Sequence, residues 1–168
     1  LYHNRLDYDV DMNNLIILNA GDGNDTIYSG DGNDIIKFQN MRLADLEFYT
    51  DGNNLIIKYG NTAKDSITIA DYYNDSVYHK SVKELQYLND LNEYVTQNLR
   101  EYLNENYVKI TAKSGTITNG TDFKDSITCS SKGAKVYANG GNDSIKGGSG
   151  NDTLYAGAGD DTILAGGG

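Results

Sequence analysis

The sequence predicts a mostly β protein in which two blocks of a parallel β-roll flank a small antiparallel β module and one α-helix. Two observations predict the rolls: a nine-residue repeat with one large aliphatic residue near its end, and an excess of Asp, Gly and Asn, which form turns. Only 38% of the 168 residues are hydrophobic, so a single large core is not expected. The predicted order is a first roll block over 1–37, a β module over 38–90, a helix over 91–108 and a second roll block over 109–168.

The nine-residue period runs through the C-terminal part of the chain and reappears near the N-terminus. The copies cover 20–28, 29–37, 120–128, 129–137, 138–146, 147–155 and 156–164. They follow G-G-x-G-x-D-x-U-x, where U is a large aliphatic residue. The copy over 129–137 is degenerate, because it keeps Val136 but has Ala134 at the Asp position. Copies in two blocks predict a repeat architecture rather than isolated turns.

Each nonapeptide has the composition of one turn followed by one short strand. Six residues rich in Gly and Asn can adopt left-handed backbone at little steric cost. The last three residues form a strand whose aliphatic side chain faces a thin core. Two nonapeptides then complete one coil of a roll, so residues 18 apart lie on the same edge.

The spacing of 18 predicts which aspartates of the C-terminal block are neighbours. Asp125, Asp143 and Asp161 are expected to lie above one another on one edge. Asp152 is expected on the opposite edge, next to the degenerate Ala134. The best-formed sites are therefore expected between Asp125 and Asp143 and between Asp143 and Asp161.

The same spacing, applied to the N-terminal block, places Asp25 over Asp7. It places Asp34 over Ile16, a residue that has no oxygen to offer a metal ion. The N-terminal block is therefore expected to hold fewer good sites.

Stacked carboxylates indicate a divalent cation. Asp accounts for 19 of the 24 acidic residues, and its short side chain suits oxygen coordination in tight turns. Without a cation the carboxylates repel one another and the thin core cannot compensate, so the chain is expected to be largely disordered. The predicted metal ligands are Asp7, Asp25, Asp34, Asp125, Asp143, Asp152 and Asp161, with backbone carbonyls near Gly21, Gly23, Gly30, Gly32, Gly140, Gly141, Gly148, Gly150, Gly157 and Gly159.

The middle of the sequence leaves the nine-residue phase. Residues 46–50 and 54–59 are rich in β-forming residues and flank Asp51-Gly52-Asn53, which predicts a hairpin. A second hairpin is predicted through 60–65 into 66–70, and a further strand over 82–88. This module is expected to be structural and to shield the open ends of the rolls.

A helix is predicted from Asp90 to Tyr107. Asp90 and Glu93 have the spacing of a capping box, and apolar residues follow at helical intervals from Leu91 to Leu103. Docking onto the β module is the expected role of this helix, and binding to a partner is the alternative.

The repeats resemble those of the repeats-in-toxin (RTX) family, and the resemblance covers about half of the chain. The middle region resembles the β insert that interrupts such blocks in haemolysin-type calcium-binding proteins. The resemblance implies a calcium-binding segment of a large secreted bacterial toxin, adhesin or surface-layer protein, exported by type I secretion and located outside the cell or on its surface. Calcium is then the cofactor, and the secretion machinery is a partner of the parent protein.

Several other functions are not expected. A net charge of −10 opposes binding to nucleic acid, and no apolar run approaches the roughly 20 residues of a membrane span. Cys129 is the sole cysteine, and His3 and His79 have no zinc motif around them. No catalytic motif is present, so an enzyme is not predicted. The alternative function is a ligand- or partner-binding module of an adhesin with the rolls as scaffold, and the roll ends could associate between chains.

Overall fold

The computed structural model describes residues 6–7, 13–28, 33–60, 65–73 and 82–168. Within these ranges the protein is mostly β with one α-helix, so the predicted class is confirmed at this level. The chain forms two compact units, Leu1–Tyr102 and Leu103–Gly168. The finer division into four parts stays a prediction.

The first unit, Leu1–Tyr102, contains strands of two sheets. Its strands are β1 (Leu6–Asp7), β2 (Leu15–Leu18), β3 (Asn24–Tyr28), β4 (Asp34–Arg42), β5 (Glu47–Asp51), β6 (Asn54–Tyr59), β7 (Asp65–Ile69), β8 (Val82–Leu88) and β9 (Tyr94–Asn98). A single 3-10 turn, Leu43–Asp45, lies between β4 and β5. One sheet has the order β1-β3-β7-β6-β5 and the other the order β2-β4-β8-β9.

Both predicted hairpins of the middle region are confirmed. Strands β5 and β6 pair antiparallel around a turn in which Gly52 has a φ of +62°, a conformation that glycine adopts without steric cost. Strands β6 and β7 also pair antiparallel. Alternate residues of β6 (Leu55, Ile57 and Tyr59) are fully buried, so one face of this strand forms core.

The expected neighbours in the N-terminal block are wrong, because this block does not follow the spacing of 18. Leu6 of β1 lies opposite Ile27, a separation of 27 − 6 = 21, and Asp7 lies opposite Tyr28 rather than Asp25. Leu15 of β2 lies opposite Ile35, a separation of 35 − 15 = 20. Residues before Ala20 do not follow the repeat consensus, so nothing in them enforces the length of a regular coil.

The predicted helix over 91–108 is too long. Residues 94–98 form β9, which pairs antiparallel with β8 through a turn in which Asn92 has a φ of +60°. Asn89, not Asp90, caps this turn, because its side-chain oxygen accepts the amide N–H of Glu93 at 2.9 Å.

The helix α1 is confined to Leu99–Glu105, and the side chain of Asn98 accepts the amide N–H of Glu101 at its start. Leu99 and Leu103 are fully buried, so packing accounts for the apolar residues at helical spacing. Among the described residues, no helix has the length and apolar character needed to cross a membrane.

The second unit, Leu103–Gly168, contains the regular repeats. Its strands are β10 (Val108–Ala112), β11 (Ile117–Asn119), β12 (Asp125–Cys129), β13 (Lys135–Tyr137), β14 (Ser144–Lys146), β15 (Thr153–Tyr155) and β16 (Thr162–Leu164). Strands β10-β12-β14-β16 form one parallel arrangement, and β11-β13-β15 form another. The chain therefore passes alternately from one sheet to the other.

The predicted spacing of 18 is confirmed between the repeat strands of this unit. Ile127 lies opposite Ile145, and Ile145 opposite Ile163. In the other sheet Val136 lies opposite Leu154. The core of this unit consists of four branched aliphatic residues, three alanines and one cysteine: Ile110, Ala112, Ile127, Cys129, Ala134, Val136, Ala138 and Ile145. Because these side chains are few and small, burial of apolar surface gives this unit limited stability.

Candidate metal centre

The turn aspartates of one edge of the second unit are joined to one another across successive coils. The amide N–H of Asp125 donates to Oδ1 of Asp143 at 2.9 Å, and the amide N–H of Asp143 donates to Oδ1 of Asp161 at 2.9 Å. The predicted neighbours are therefore in the predicted register. We call these three residues the aspartate ladder.

The opposite edge repeats this arrangement at the degenerate copy. Oδ1 of Asp152 accepts the amide N–H of Ala134 at 2.8 Å, as expected for residues 18 apart. Oδ2 of Asp152 accepts the amide N–H of Gly148 at 2.8 Å, which closes the turn that precedes it. Ala134, the neighbour of Asp152 in the preceding coil, offers no carboxylate with which to share a cation.

The second oxygen of each carboxylate distinguishes the members of the aspartate ladder. Oδ2 of Asp125 accepts the amide N–H of Thr121 at 2.7 Å, and the Thr121 hydroxyl lies 3.0 Å from Oδ1. Oδ2 of Asp143 is buried and accepts no hydrogen bond from any residue that the structure describes. The residue four positions before Asp143 is Asn139, whose φ of +76° gives this turn a different backbone conformation. A buried carboxylate oxygen without a donor is costly, so this atom calls for a positively charged ligand.

Burial also changes the acidity of these carboxyl groups. Asp125 is fully buried and Asp143 is 1% exposed. The pKa of Asp125 is raised to about 7, because burial and, to a smaller extent, the charges of Asp143 and Asp122 outweigh the lowering effect of the Thr121 hydrogen bonds. Burial and the charge of Asp161 raise the pKa of Asp143 to about 6. The charged forms of both groups are therefore unfavourable unless a cation accompanies them.

Glycines allow the backbone of one turn to lie directly on the turn before it. A Cβ atom at Gly148 would meet the carbonyl oxygen of Ser130, and one at Gly157 would meet that of Asn139. In each pair the two residues are 18 apart, as are Gly159 and Gly141. The predicted carbonyl ligands near Gly140, Gly141, Gly148, Gly150, Gly157 and Gly159 thus lie in turns that stack in register, and their role as ligands stays a prediction.

The N-terminal block brings together different residues from those predicted. Oδ1 of Asp34 accepts the amide N–H and the side-chain N–H of Asn14, each at 2.9 Å, so Asn14 takes the place expected for Ile16. Asp25 is buried and begins no ladder with Asp7, whose side chain lies outside the description. Gly30 and Gly32 also lie outside the described residues.

Gly21 and Gly23 contact a carboxylate that sequence reasoning missed. Oδ2 of Asp65 accepts the amide N–H of Gly21 at 2.8 Å, and Oδ1 accepts that of Gly23 at 3.1 Å. A signal was present in the sequence, because Lys-Asp-Ser-Ile-Thr occurs at 64–68 and again at 124–128 around Asp125. Thr121 was missed as well, and nothing in the consensus marks its hydroxyl as a donor to Asp125.

The arrangement suits a cation held by few side chains and many backbone oxygens. Within the described part of the chain, no group of three or more His, Cys, Asp or Glu side chains could hold a metal ion. Calcium accepts six to eight oxygen ligands, including backbone carbonyls, in flexible geometry. The unsatisfied oxygen of Asp143 and the stacked turns therefore fit calcium better than zinc, whose structural sites are four-coordinate sets of Cys and His.

A family model matches the chain in two segments, residues 17–37 and 137–168, with four copies of an RTX calcium-binding nonapeptide repeat. The chain carries RTX repeats. Repeats of this family bind Ca²⁺. The second matched segment contains Asp143, Asp152 and Asp161, and the first contains Asp25 and Asp34. No curated protein sequence matches the chain.

Proposed function

We propose that this chain is a non-enzymatic, calcium-binding structural segment of a large secreted bacterial RTX protein of the toxin, adhesin or surface-layer type. In this proposal the second unit is a parallel β-roll that holds calcium between its coils. The observation that carries the proposal is the buried Oδ2 of Asp143, which has no hydrogen-bond donor among the described residues. Asp143 is the middle residue of the aspartate ladder, between Asp125 and Asp161.

The residues that would hold the ions follow from this geometry. Asp125 with Asp143, and Asp143 with Asp161, supply carboxylate oxygens from consecutive coils, and the Gly-rich turns supply carbonyl oxygens. Bound calcium provides the positive charge that allows these buried carboxyl groups to ionise. The aliphatic residues of the strands then pack on one another only when the turns are in register, so binding and folding are coupled.

Coupled folding explains why such a segment would suit export. Calcium is scarce in the cytosol, so the carboxylates would repel and the chain would remain extended as it passes a type I exporter. Outside the cell, sites with a Kd on the order of 10⁻⁴–10⁻³ M would be filled at millimolar calcium. Folding on the outer side would oppose backward movement.

A calcium titration of the chain followed by circular dichroism tests the proposal. We expect little β signal from the second unit in the presence of a chelator and a cooperative gain at millimolar calcium. Magnesium at the same concentration serves as the control, because its smaller octahedral shell suits these turns poorly. Equal β content with chelator and with calcium would overturn the proposal.

The proposal extends to association between chains through roll ends. Ile163 and Leu164 on β16 are 43% and 63% exposed. Ile145, which lies opposite Ile163 in the preceding coil, is buried. Exposed aliphatic residues on a repeat strand favour stacking of a further coil or of a second chain. Sedimentation velocity in calcium at increasing protein concentration should show self-association, and a constant monomer would contradict this extension.

A further inference from the structure

Asp65, in the antiparallel module, occupies the position that a repeat aspartate occupies in the second unit. In two repeats of the second unit the amide N–H at the second position donates to the aspartate four residues later, from Thr121 to Asp125 and from Gly148 to Asp152. The corresponding amide of the first repeat, at Gly21, donates instead to Asp65. A residue 44 positions away in the sequence therefore closes the first RTX turn.

The start of β7 is attached to this turn through its backbone and side chain. The amide N–H of Ser66 donates to the carbonyl oxygen of Gly23 at 2.9 Å, and its hydroxyl donates to the side chain of Asn24 at 2.8 Å. Strand β7 then pairs in parallel with β3, with Ser66 opposite Asn24. The module thus continues the stack of the first block, although its register differs from that of the second unit.

A buried hydroxyl faces the same carboxylates. Tyr59 is fully buried, and its hydroxyl has no hydrogen-bond partner in the described part of the chain. Tyr59 lies opposite Asp65 in the β6–β7 pair, and Asp25 lies opposite Ile67, which is two residues along β7 from Asp65 and on the same face of the sheet. Burial, together with the negative charges of Asp25, Asp22 and Asp65, raises the pKa of Tyr59. A buried hydroxyl without a hydrogen-bond partner is costly, and its oxygen lone pairs are free to bind a cation.

Burial and local space indicate which of the three carboxylates near Tyr59 could bind a cation. Asp22 is exposed and is not among the proposed ligands, whereas Asp25 is buried and Asp65 is half-buried. Asp25 is 9% exposed and lies on β3. A Cβ atom at Gly60 would lie 3.2 Å from Oδ2 of Asp65, so glycine at this position leaves room beside the carboxylate.

We propose that Asp65 and Asp25, with the Tyr59 hydroxyl and backbone oxygens of the first repeat turn, form a calcium site that joins this turn to the antiparallel module. This inference rests on the proposed calcium function and adds a site whose key carboxylate lies outside the matched repeats. Two carboxylates, a hydroxyl and backbone oxygens supply the hard ligands that calcium prefers.

Calcium stoichiometry of the full chain, measured by equilibrium dialysis, tests the site. We expect Asp65→Asn to bind one ion fewer than the unmodified chain. Asp51→Asn, which removes an exposed charge at the β5–β6 turn, should bind the full number. An unchanged stoichiometry in Asp65→Asn would overturn the inference.

A second measurement covers the case in which Asp65→Asn fails to fold. Terbium can replace calcium, and its emission is sensitised by a tyrosine close to the ion. Tyr59→Phe should lower the tyrosine-sensitised emission and weaken binding at this site by about tenfold. Tyr94→Phe, which changes an exposed tyrosine of the same unit, should alter neither. Equal emission in both variants would show that no ion lies beside Tyr59.

Asp143→Asn separates failure of this site from failure of the proposed function. If Asp143→Asn loses ions and Asp65→Asn does not, the roll sites stand and the Asp65 site is wrong. If Asp65→Asn loses an ion and Asp143→Asn loses none, the Asp65 site stands and the function proposed for the second unit is wrong. Additive losses in the double variant support both.

Discussion

The two matched segments of this chain carry the same consensus but form different surroundings for their aspartates. In the second unit the repeat strands are 18 residues apart, and the amide of one aspartate donates to the carboxylate of the next. In the first unit the separations are 20 and 21, and Asp34 contacts Asn14 instead of an aspartate. The consensus of one nonapeptide therefore specifies its own turn and strand. Whether its aspartate lies next to a second aspartate depends on the length and sequence of the coil that precedes it.

Substitution of Asp143 should give the largest difference between the two regions. Asp143→Asn keeps the shape of the side chain but removes the charge from the centre of the aspartate ladder. We expect the calcium concentration for half-maximal folding of the second unit to rise by about tenfold or more, measured by circular dichroism.

Two variants serve as controls for this prediction. Asp34→Asn, in the first unit, should change the calcium midpoint of folding clearly less than Asp143→Asn does. Oδ1 of Asp34 already accepts two hydrogen bonds from Asn14. Asp160→Asn removes an exposed charge beside Asp161 and should leave the midpoint unchanged. Equal effects of Asp143→Asn and Asp160→Asn would mean that net charge, and not a specific site, controls folding.

Alanine in place of glycine should affect the two regions unequally. Gly21 and Gly157 have φ values of +96° and +101°, so each substitution costs roughly 1–2 kcal/mol of backbone strain. A Cβ at Gly157 would also meet the carbonyl of Asn139, whereas no described atom lies within 4 Å of one at Gly21. Gly157→Ala should therefore cost roughly a further 1–3 kcal/mol in urea unfolding with calcium present. Equal costs would contradict direct stacking of the coils.

The pH dependence without calcium should also separate the two regions. The pKa values of Asp125 and Asp143 are raised from 3.8 to about 7 and about 6 in the folded second unit. The folded unit then binds more protons than the unfolded chain. The stability that these two carboxyl groups contribute is therefore fully present below about pH 4 and is lost as the pH rises through about 7. With chelator, the β signal of this unit should be greater at pH 4.5 than at pH 8.

Calcium should reverse this dependence, because the ion competes with protons for the same oxygens. Its affinity should increase from pH 5 to pH 8. A calcium affinity that does not change over this range would show that neither carboxyl group is a ligand.

The smallest effect is expected from the tyrosine stack on the outer face of the second unit. The ring centroids of Tyr137 and Tyr155 are 4.7 Å apart and the ring planes are inclined by 4°. Tyr155 is 49% exposed. Tyr155→Ala should destabilise the calcium-loaded unit by about 0.5–1 kcal/mol, and Tyr155→Phe should have little effect because it keeps the stacked ring. Thermal unfolding in calcium measures both variants, and a large loss in Tyr155→Phe would assign the contribution to the hydroxyl instead.

The regular part of the fold could be predicted from the sequence because its period is enforced by chemistry. Each turn needs glycines where the backbones touch, and each strand needs an aliphatic residue toward the core, so Ile127, Ile145 and Ile163 keep a spacing of 18. The hairpin around Gly52 was also predictable, because two segments rich in β-forming residues flank a short turn sequence that contains glycine.

The predicted helix was placed wrongly where both a helical and a strand periodicity fit the same residues. Leu91, Tyr94, Val95 and Leu99 satisfy a helical spacing, but alternation over 94–98 also suits a strand. Pairing of five residues of β9 with β8 supplies backbone hydrogen bonds along one side of the strand, and local helical preference does not outweigh them. Asp65 was missed because its contact with Gly21 spans a module of other strands, and no rule of fixed spacing reaches across it.

Hydrogen exchange at the amides of Asp125 and Asp143 tests the central claim most directly, because each donates to the carboxylate of the next coil. We predict that both amides exchange as in an unfolded chain in the presence of a chelator. At millimolar calcium they should become protected together, at the same calcium concentration as the amides of β14 and β16. Equal protection with and without calcium would show that the coils align without the ion and would contradict the account.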